Sequence, residues 1–377
     1  MNNQEHSKYD DNKVCVYAIC KNELQFVARW LESMSEADYI VVLDTGSTDG
    51  TFEALQNDPR VHKVGQKVID PWRFDVARNE SMALIPSDAN ILLCTDLDEV
   101  LEPGWAKIIK NNWVEGLHVR GYYKYAWSHT SEGAPGRIFY YDKLHDRHWH
   151  WKGAVHEYLV SDKHIEGETF NPDIQILDLF DKGVYLHHYP DHTKSRGSYL
   201  PLLKVRVEED PQDYYAKYYL AHEYHYRGYY HESTATLIDI LENHRDKYSQ
   251  LEVAACYLFL GDNYRSLGQL HEAIMNYNKA IEIEPSYREP YLLAAEVFNQ
   301  LSQHRLAVGY VKAAIENTHR HYTWVERDAA WREQIDDILS VSLFYLGKRE
   351  EARMHAITAH HLNPSDERIK YNLDLMM

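Results

Sequence analysis

The C-terminal half of the chain repeats a pattern of small, aromatic and turn-forming residues, two of its units standing 34 positions apart, and nothing else in the sequence restricts the fold so tightly. Leu260-Gly261, Tyr264, Gly268, Ala273, Tyr277, Ala280 and Pro285 form one unit. Ala294-Ala295, Phe298, Ser302, Ala307 and Ala314 fall in the same frame one period later. Leu339, Leu343, Gly347, Ala352, Ala359 and Pro364 make a further unit, and Leu220-Ala221, Tyr224, Gly228 and Leu237 a degenerate first one. Within a unit the pattern is that of two helices. Small residues stand where the helices approach, Tyr and Leu fill the seams, and Pro ends the second helix. Such units cannot bury their apolar faces alone and must stack. The period breaks at 317–333, an insertion carrying Trp324 and Trp331.

Period and spacing resemble those of the tetratricopeptide repeat. That resemblance implies an all-α solenoid over 206–377, with a concave surface suited to extended peptides. The repeat half also leaves room for a homodimer formed through it.

Residues 1–205 follow a different rhythm. Apolar runs at 14–20, 39–43 and 91–94 read as buried strands and a further strand is expected near 61–68, with helical spacing between them at 22–33, 51–55 and 74–83. Strands separated by helices predict βαβ units and a largely parallel sheet, which binds its ligands at the carboxyl ends of the strands. Two acidic clusters fall at such ends: Asp44-Thr-Gly-Ser-Thr-Asp49-Gly50 after the second strand, and Asp96-Leu97-Asp98-Glu99 after the fourth. The stretch 115–190 is rich in aromatics and His, and predicts short antiparallel strands and loops closing over the sheet edge. An Asp-x-Asp at a strand end suits Mg²⁺ or Mn²⁺, hard cations that take oxygen ligands and commonly bind substrate phosphates as well.

Three segments are similar, in order and separation, to the motifs of family-2 glycosyltransferases, enzymes of the GT-A fold. They are Val41 to Thr51, Trp72 to Asn79 (with Phe74, Ala77, Arg78 and Asn79), and Asp96 to Glu99. With the repeats attached, the chain resembles bacterial members that glycosylate glycocin-type peptides or cell-surface glycans. The resemblance implies an α/β GT-A domain (a Rossmann-like mixed sheet) over 1–205 that inverts configuration at a sugar taken from a nucleotide-diphosphate sugar, UDP-sugars being favoured. Asp44 would contact base or ribose, and Asp49 would brace its loop or touch the base. Thr45 stands where the family often has a second Asp. Arg78 and Asn79 would line the donor site. Asp96 would bind ribose or metal, and Asp98 the metal, with His188 returning to it from a later strand. Lys194 and Arg196 would hold diphosphate. Glu157 or His156 would deprotonate the acceptor, carboxylate and imidazole being the usual choices. The acceptor would be a peptide or protein, or alternatively a glycan. A third alternative is a repeat scaffold with an inactive first half.

Composition narrows the classes. The net charge of −18 divides into −11 over 1–210 and −7 over 211–377, so acidity is general. Such a surface opposes binding to a nucleic-acid polymer, where phosphate neutralisation dominates affinity. Cys15, Cys20, Cys94 and Cys256 lack zinc-site spacing and read as buried thiols. The polar start, no signal peptide and no apolar run of membrane-spanning length predict a cytoplasmic protein. Of 30 Tyr, those at 224, 264 and 277 fit repeat seams. Tyr122, Tyr123, Tyr125, Tyr140, Tyr141 and Tyr189, with Trp127, Trp149 and Trp151, are candidates for stacking an acceptor.

Overall fold

The computed structural model describes residues 12–130, 133–161 and 175–377. The polar N-terminal stretch lies almost wholly outside these. Internal contacts divide the chain after Arg206 into two units.

The first unit is a curled mixed sheet with helices on both faces. In chain order it contains Val14–Cys20 (β1), Leu24–Met34 (α1), Tyr39–Asp44 (β2), Thr51–Asn57 (α2), Lys63–Gln66 (β3), Phe74–Met82 (α3), Ile91–Cys94 (β4), Glu99–Leu101 (β5), Trp105–Asn112 (α4), His118–Ala126 (β6), Ile138–His145 (β7), Trp149–Lys152 (β8), Tyr158–Ser161 (β9), Gln175–Asp178 (β10) and Tyr185–His188 (β11). The sheet order is β3-β2-β1-β4-β7-β6-β11-β5, with β10 also paired to β6. β8 and β9 form a separate hairpin. β1 explains the layering, because all seven of its residues are buried. Val14, Val16 and Ala18 pack with Trp30, Leu31 and Met34 of α1. Cys15 and Tyr17 face the other way, towards Ile85 and Trp151. That two-sided burial is the mark of a central parallel strand.

Strands β3, β2, β1 and β4 are parallel, as the alternation predicts. The segment 115–190 departs from its expectation. β6 and β7 do not merely cover the edge; β7 continues the sheet antiparallel to β4. β10 and β11 run parallel to β6 rather than antiparallel. Parallel pairing needs a crossover connection, which the long return of the chain to Tyr185 supplies.

The second unit is helical. Tyr199–Glu209 (α5) spans the division. Four helix pairs follow: Tyr214–Tyr226 (α6) with Tyr230–Asn243 (α7), Gln250–Ser266 (α8) with Leu270–Ile283 (α9), Glu289–Gln300 (α10) with His304–Glu316 (α11), and Gln334–Tyr345 (α12) with Arg349–Leu362 (α13). Glu367–Met376 (α14) closes the array. The repeat shows in the turn between paired helices. Gly228, Gly268 and Gly347 have φ of 78°, 77° and 81°, and Ser302 occupies the same place at 58°. Ala273, Tyr277 and Ala280 are fully buried, as seam positions should be. The four cysteines are all buried and free. Among the described residues no helix is long and apolar enough to cross a membrane.

Candidate active site

The chain leaves β2 through a loop folded on its own carboxylates. Asp44 is buried, and its Oδ1 accepts the backbone N–H groups of Gly46 and Ser47, both at 2.9 Å. Burial alone would raise its pKa; the donors of Ser47 and Gly46 outweigh that and hold it below the usual value. Asp49 accepts from Leu24 N–H at 3.1 Å and Thr51 N–H at 3.0 Å, bracing the loop against the starts of α1 and α2. In the structure both carboxylates organise the loop, and Asp44 has no exposed surface with which to meet a base or ribose.

Across the sheet, the end of β4 meets α3, β7 and the β8–β9 hairpin. Arg78 lies at the centre, its side chain 4% exposed. Its Nε donates to Glu157 Oε1 at 2.5 Å, Nη1 to Cys94 Sγ at 3.0 Å, and Nη2 to Asp96 at 2.9 and 3.2 Å. The guanidinium lies 5.3 Å from the Trp151 ring centre. Lys143 Nζ approaches the other side of Asp96 at 3.5 Å. Burial opposes ionisation of Asp96, but Arg78 and Lys143 outweigh it and its pKa is lowered. Arg78 is thus held by two carboxylates rather than open to a donor. Asn79 has a structural job: its amide donates to Trp151 O and accepts from Trp151 N–H, both at 2.8 Å, pinning β8 to α3.

Asp98 and His188 come together from the loop after β4 and the end of β11. Asp98 Oδ2 lies 3.4 Å from His188 Nε2, while His188 Nδ1 meets Trp127 O at 3.1 Å. A ring whose Nδ1–H is held by a carbonyl presents Nε2 as its ligating atom. Burial works against a charged His188, yet Asp98 and Glu99 prevail and its pKa is raised. Among the described residues, no three His, Cys, Asp or Glu side chains converge as a metal cage.

Glu157 spends Oε1 on Arg78, and its side chain is 9% exposed. His156 sits at φ 49°, its pKa lowered to about 4, chiefly by burial. A group that resists protonation so strongly is a poor base near neutral pH. Lys194 pairs with Glu23, and Arg196 lies 4.5 Å over the ring of Tyr199.

Sequence reasoning missed Lys143 and Glu23, and gave Glu99 no role beyond its place in the acidic cluster. Glu99 is buried and accepts Asp96 N–H at 2.9 Å; burial raises its pKa to about 7. Glu23 is raised to about 7 for the same reason. A lysine two residues past the apolar run 138–141 was the available signal for Lys143. The aromatic cluster also divides differently from its expectation. Tyr123, Tyr125 and Trp151 are core residues, whereas Trp127, Tyr140 and Tyr189 keep exposed surface.

A sequence profile described as TPR repeat matches residues 261–302. The C-terminal half therefore carries a tetratricopeptide repeat. No curated protein matches the chain. Solved structures similar to part of the chain include a thermophilic TPR protein of Thermus thermophilus (19% identity, 47% of this chain and 88% of that one, TM-score 0.34). MamA 41-end from Desulfovibrio magneticus RS-1 is another (14% identity, 44% and 84%, TM-score 0.36). A third is the first TPR of Spaghetti (RPAP3) bound to an HSP90 peptide (19% identity, 33% and 91%, TM-score 0.28).

Proposed function

We propose that the first unit is a GT-A glycosyltransferase of family 2, moving a sugar with inversion from a nucleotide-diphosphate sugar to a peptide or protein. The observation that carries this reading is the pairing of Asp98 with His188 beside an Asp96 held by Arg78 and Lys143, at the carboxyl end of a central parallel strand. Mn²⁺ or Mg²⁺ fits the donor set. Carboxylate oxygen suits both ions, neutral imidazole is the commonest protein metal ligand, and Mg²⁺ is commonly bound by one or two carboxylates plus substrate phosphates, so two protein ligands suffice. Asp98 and His188 would hold the ion, which when bound neutralises charge on a departing diphosphate. Asp96, held in place by Arg78 and Lys143, would sit beside the ion and the ribose of the donor. Glu157 Oε2, the oxygen that Arg78 does not use, would take the acceptor proton. His156 is too reluctant a base for that task. Positioning and preorganised charge then supply most of the catalysis.

The repeat unit would recruit the acceptor or a partner protein. One observation favours a second reading, a binding scaffold with an inactive first unit: the matched sequence profile falls on the repeats alone. Incubating the chain with Mn²⁺ and a panel of sugar nucleotides separates the two. The enzyme reading expects donor hydrolysis or thermal stabilisation that Asp98→Ala abolishes. No response to any donor, with Asp98→Ala indistinguishable from the parent, leaves the scaffold.

A further inference from the structure

The insertion at 317–333 does not loop away from the repeats. Its base is folded on Glu326, 1% exposed, which accepts the backbone N–H of His321 at 2.5 Å and of Tyr322 at 3.2 Å. Its tip then reaches helices distant in sequence. The Trp324 ring lies 5.1 Å from the rings of Tyr218 and His222 and 5.7 Å from that of Tyr219, all on α6. Arg327 pairs with Asp262 of α8 and sits 5.7 Å from the Phe259 ring centre. Its backbone N–H donates to Glu289 of α10 at 2.9 Å. One short segment therefore touches the first helix of three successive repeats. That is the path an extended peptide takes when stacked helix pairs bind it along a continuous face.

The seat is unevenly filled. At the Arg327 end, Asp262 also accepts the Tyr277 hydroxyl at 2.7 Å, so the ion pair is braced. At the aromatic end, the hydroxyls of Tyr218 and Thr323 are buried without a hydrogen-bond partner. Buried hydroxyls left unsatisfied weaken the state that contains them.

We infer that 323–327 is an internal occupant of a peptide-binding face. The face takes, from another chain, an extended peptide with an aromatic residue followed three positions later by an arginine. The aromatic seats on Tyr218, Tyr219 and His222, and the arginine pairs with Asp262 over Phe259. The acidic character of this half favours the cationic ligand. The inference stands whether or not the first unit transfers sugar.

The test uses the full chain and a fluorescent peptide copying residues 319–330, followed by anisotropy. Trp324→Ala with Arg327→Ala vacates the face. The vacated chain is expected to bind the peptide about tenfold or more tighter than the parent, because a competing internal occupant scales the apparent affinity by the open fraction. Adding Asp262→Asn, or replacing the peptide's Trp by Ala, should remove that gain. A vacated chain that keeps the parent's helical circular dichroism yet does not bind the peptide overturns the inference. If the vacated chain loses its helical signal, hydrogen exchange on the parent decides. Amides of 323–327 exchanging by local opening, far ahead of α8, support an exchangeable occupant; amides exchanging together with α8 make the segment a fixed part of the core and overturn it.

Discussion

Replacing Glu157 separates a buried structural acid from a catalytic one. Its partner Arg78 is almost fully enclosed, so what is lost depends on what remains around the guanidinium. Glu157→Gln keeps an oxygen near Nε but removes its charge. Asp96 still pairs with Nη2 at 2.9 Å. The loss is then the difference between a charged and a neutral acceptor, about 1–2 kcal/mol. Glu157→Ala removes the acceptor as well and leaves Nε buried and unsatisfied, a change of about 3–5 kcal/mol. For a unit of this size each kcal/mol moves the melting temperature by about 2–4 °C. Glutamine should therefore lower it by about 2–8 °C and alanine by about 6–20 °C. Sugar transfer should be lost in both variants alike, because neither side chain accepts a proton. Thermal unfolding by circular dichroism, read beside donor turnover on the same samples, checks both halves. An alanine variant melting within about 1 °C of the parent would refute the buried ion pair. Full turnover in the glutamine variant would refute the base.

Three further outcomes follow from the repeat unit. Gly261→Ala would gain about 1 kcal/mol from helix propensity alone, but its Cβ would lie 2.4 and 2.6 Å from ring carbons of the buried Tyr277. Overpacking of about 1–3 kcal/mol should win, and a higher urea midpoint would contradict the seam geometry. Ser302→Gly, at φ 58°, relieves a left-handed conformation worth about 1–2 kcal/mol, so its urea midpoint should rise. Burial raises Glu289 from an ordinary value of 4.5 to about 7. The folded chain holds that proton more tightly than the unfolded one, so the group's contribution is complete below pH 4.5 and is lost as pH rises through 7. Glu289→Gln should accordingly gain stability relative to the parent by up to about 3 kcal/mol between pH 5 and pH 8. Unfolding curves of both chains across that range should diverge upward, and parallel curves would show that the carboxyl is not buried as described.

What the sequence revealed about the fold followed from how local the controlling interactions are. The repeats were legible because each unit restates the same packing requirement, down to the left-handed turn that Gly268 and Ser302 share one period apart. β1, β2 and β4 were legible because strands buried on both faces are continuous apolar runs. β5, β8, β9 and β10 were not, since each is three or four residues long and none carries a buried run of its own. The apolar pattern of β7 stops at Tyr141, but the strand continues through Lys143, whose charge is tolerated there because Asp96 lies 47 positions away in sequence and beside it in space.

The same distinction governs the site. Asp96, Asp98 and Arg78 could be found from motifs, but the partner that fixes each role comes from far along the chain, as Glu157 does for Arg78 at a separation of 79 residues. Those partners change what the site can do. Arg78 faces Asp96 and Glu157, Lys143 faces Asp96, and Lys194 faces Glu23, so each of these three cations already has an acid beside it. A cation committed to a buried acid cannot turn to an incoming anion without leaving that acid uncompensated. Under the proposed function, a diphosphate would bring negative charge into a site where these cations are already matched. Donor binding without a divalent ion should then be weak, and its dependence on Mn²⁺ should be steeper than its dependence on any single arginine or lysine. Titrating a UDP-sugar into the chain with and without Mn²⁺, and into Lys194→Ala, measures that order directly. Tight metal-free binding, lost on removing Lys194, would mean that the loop after β11 supplies the charge instead.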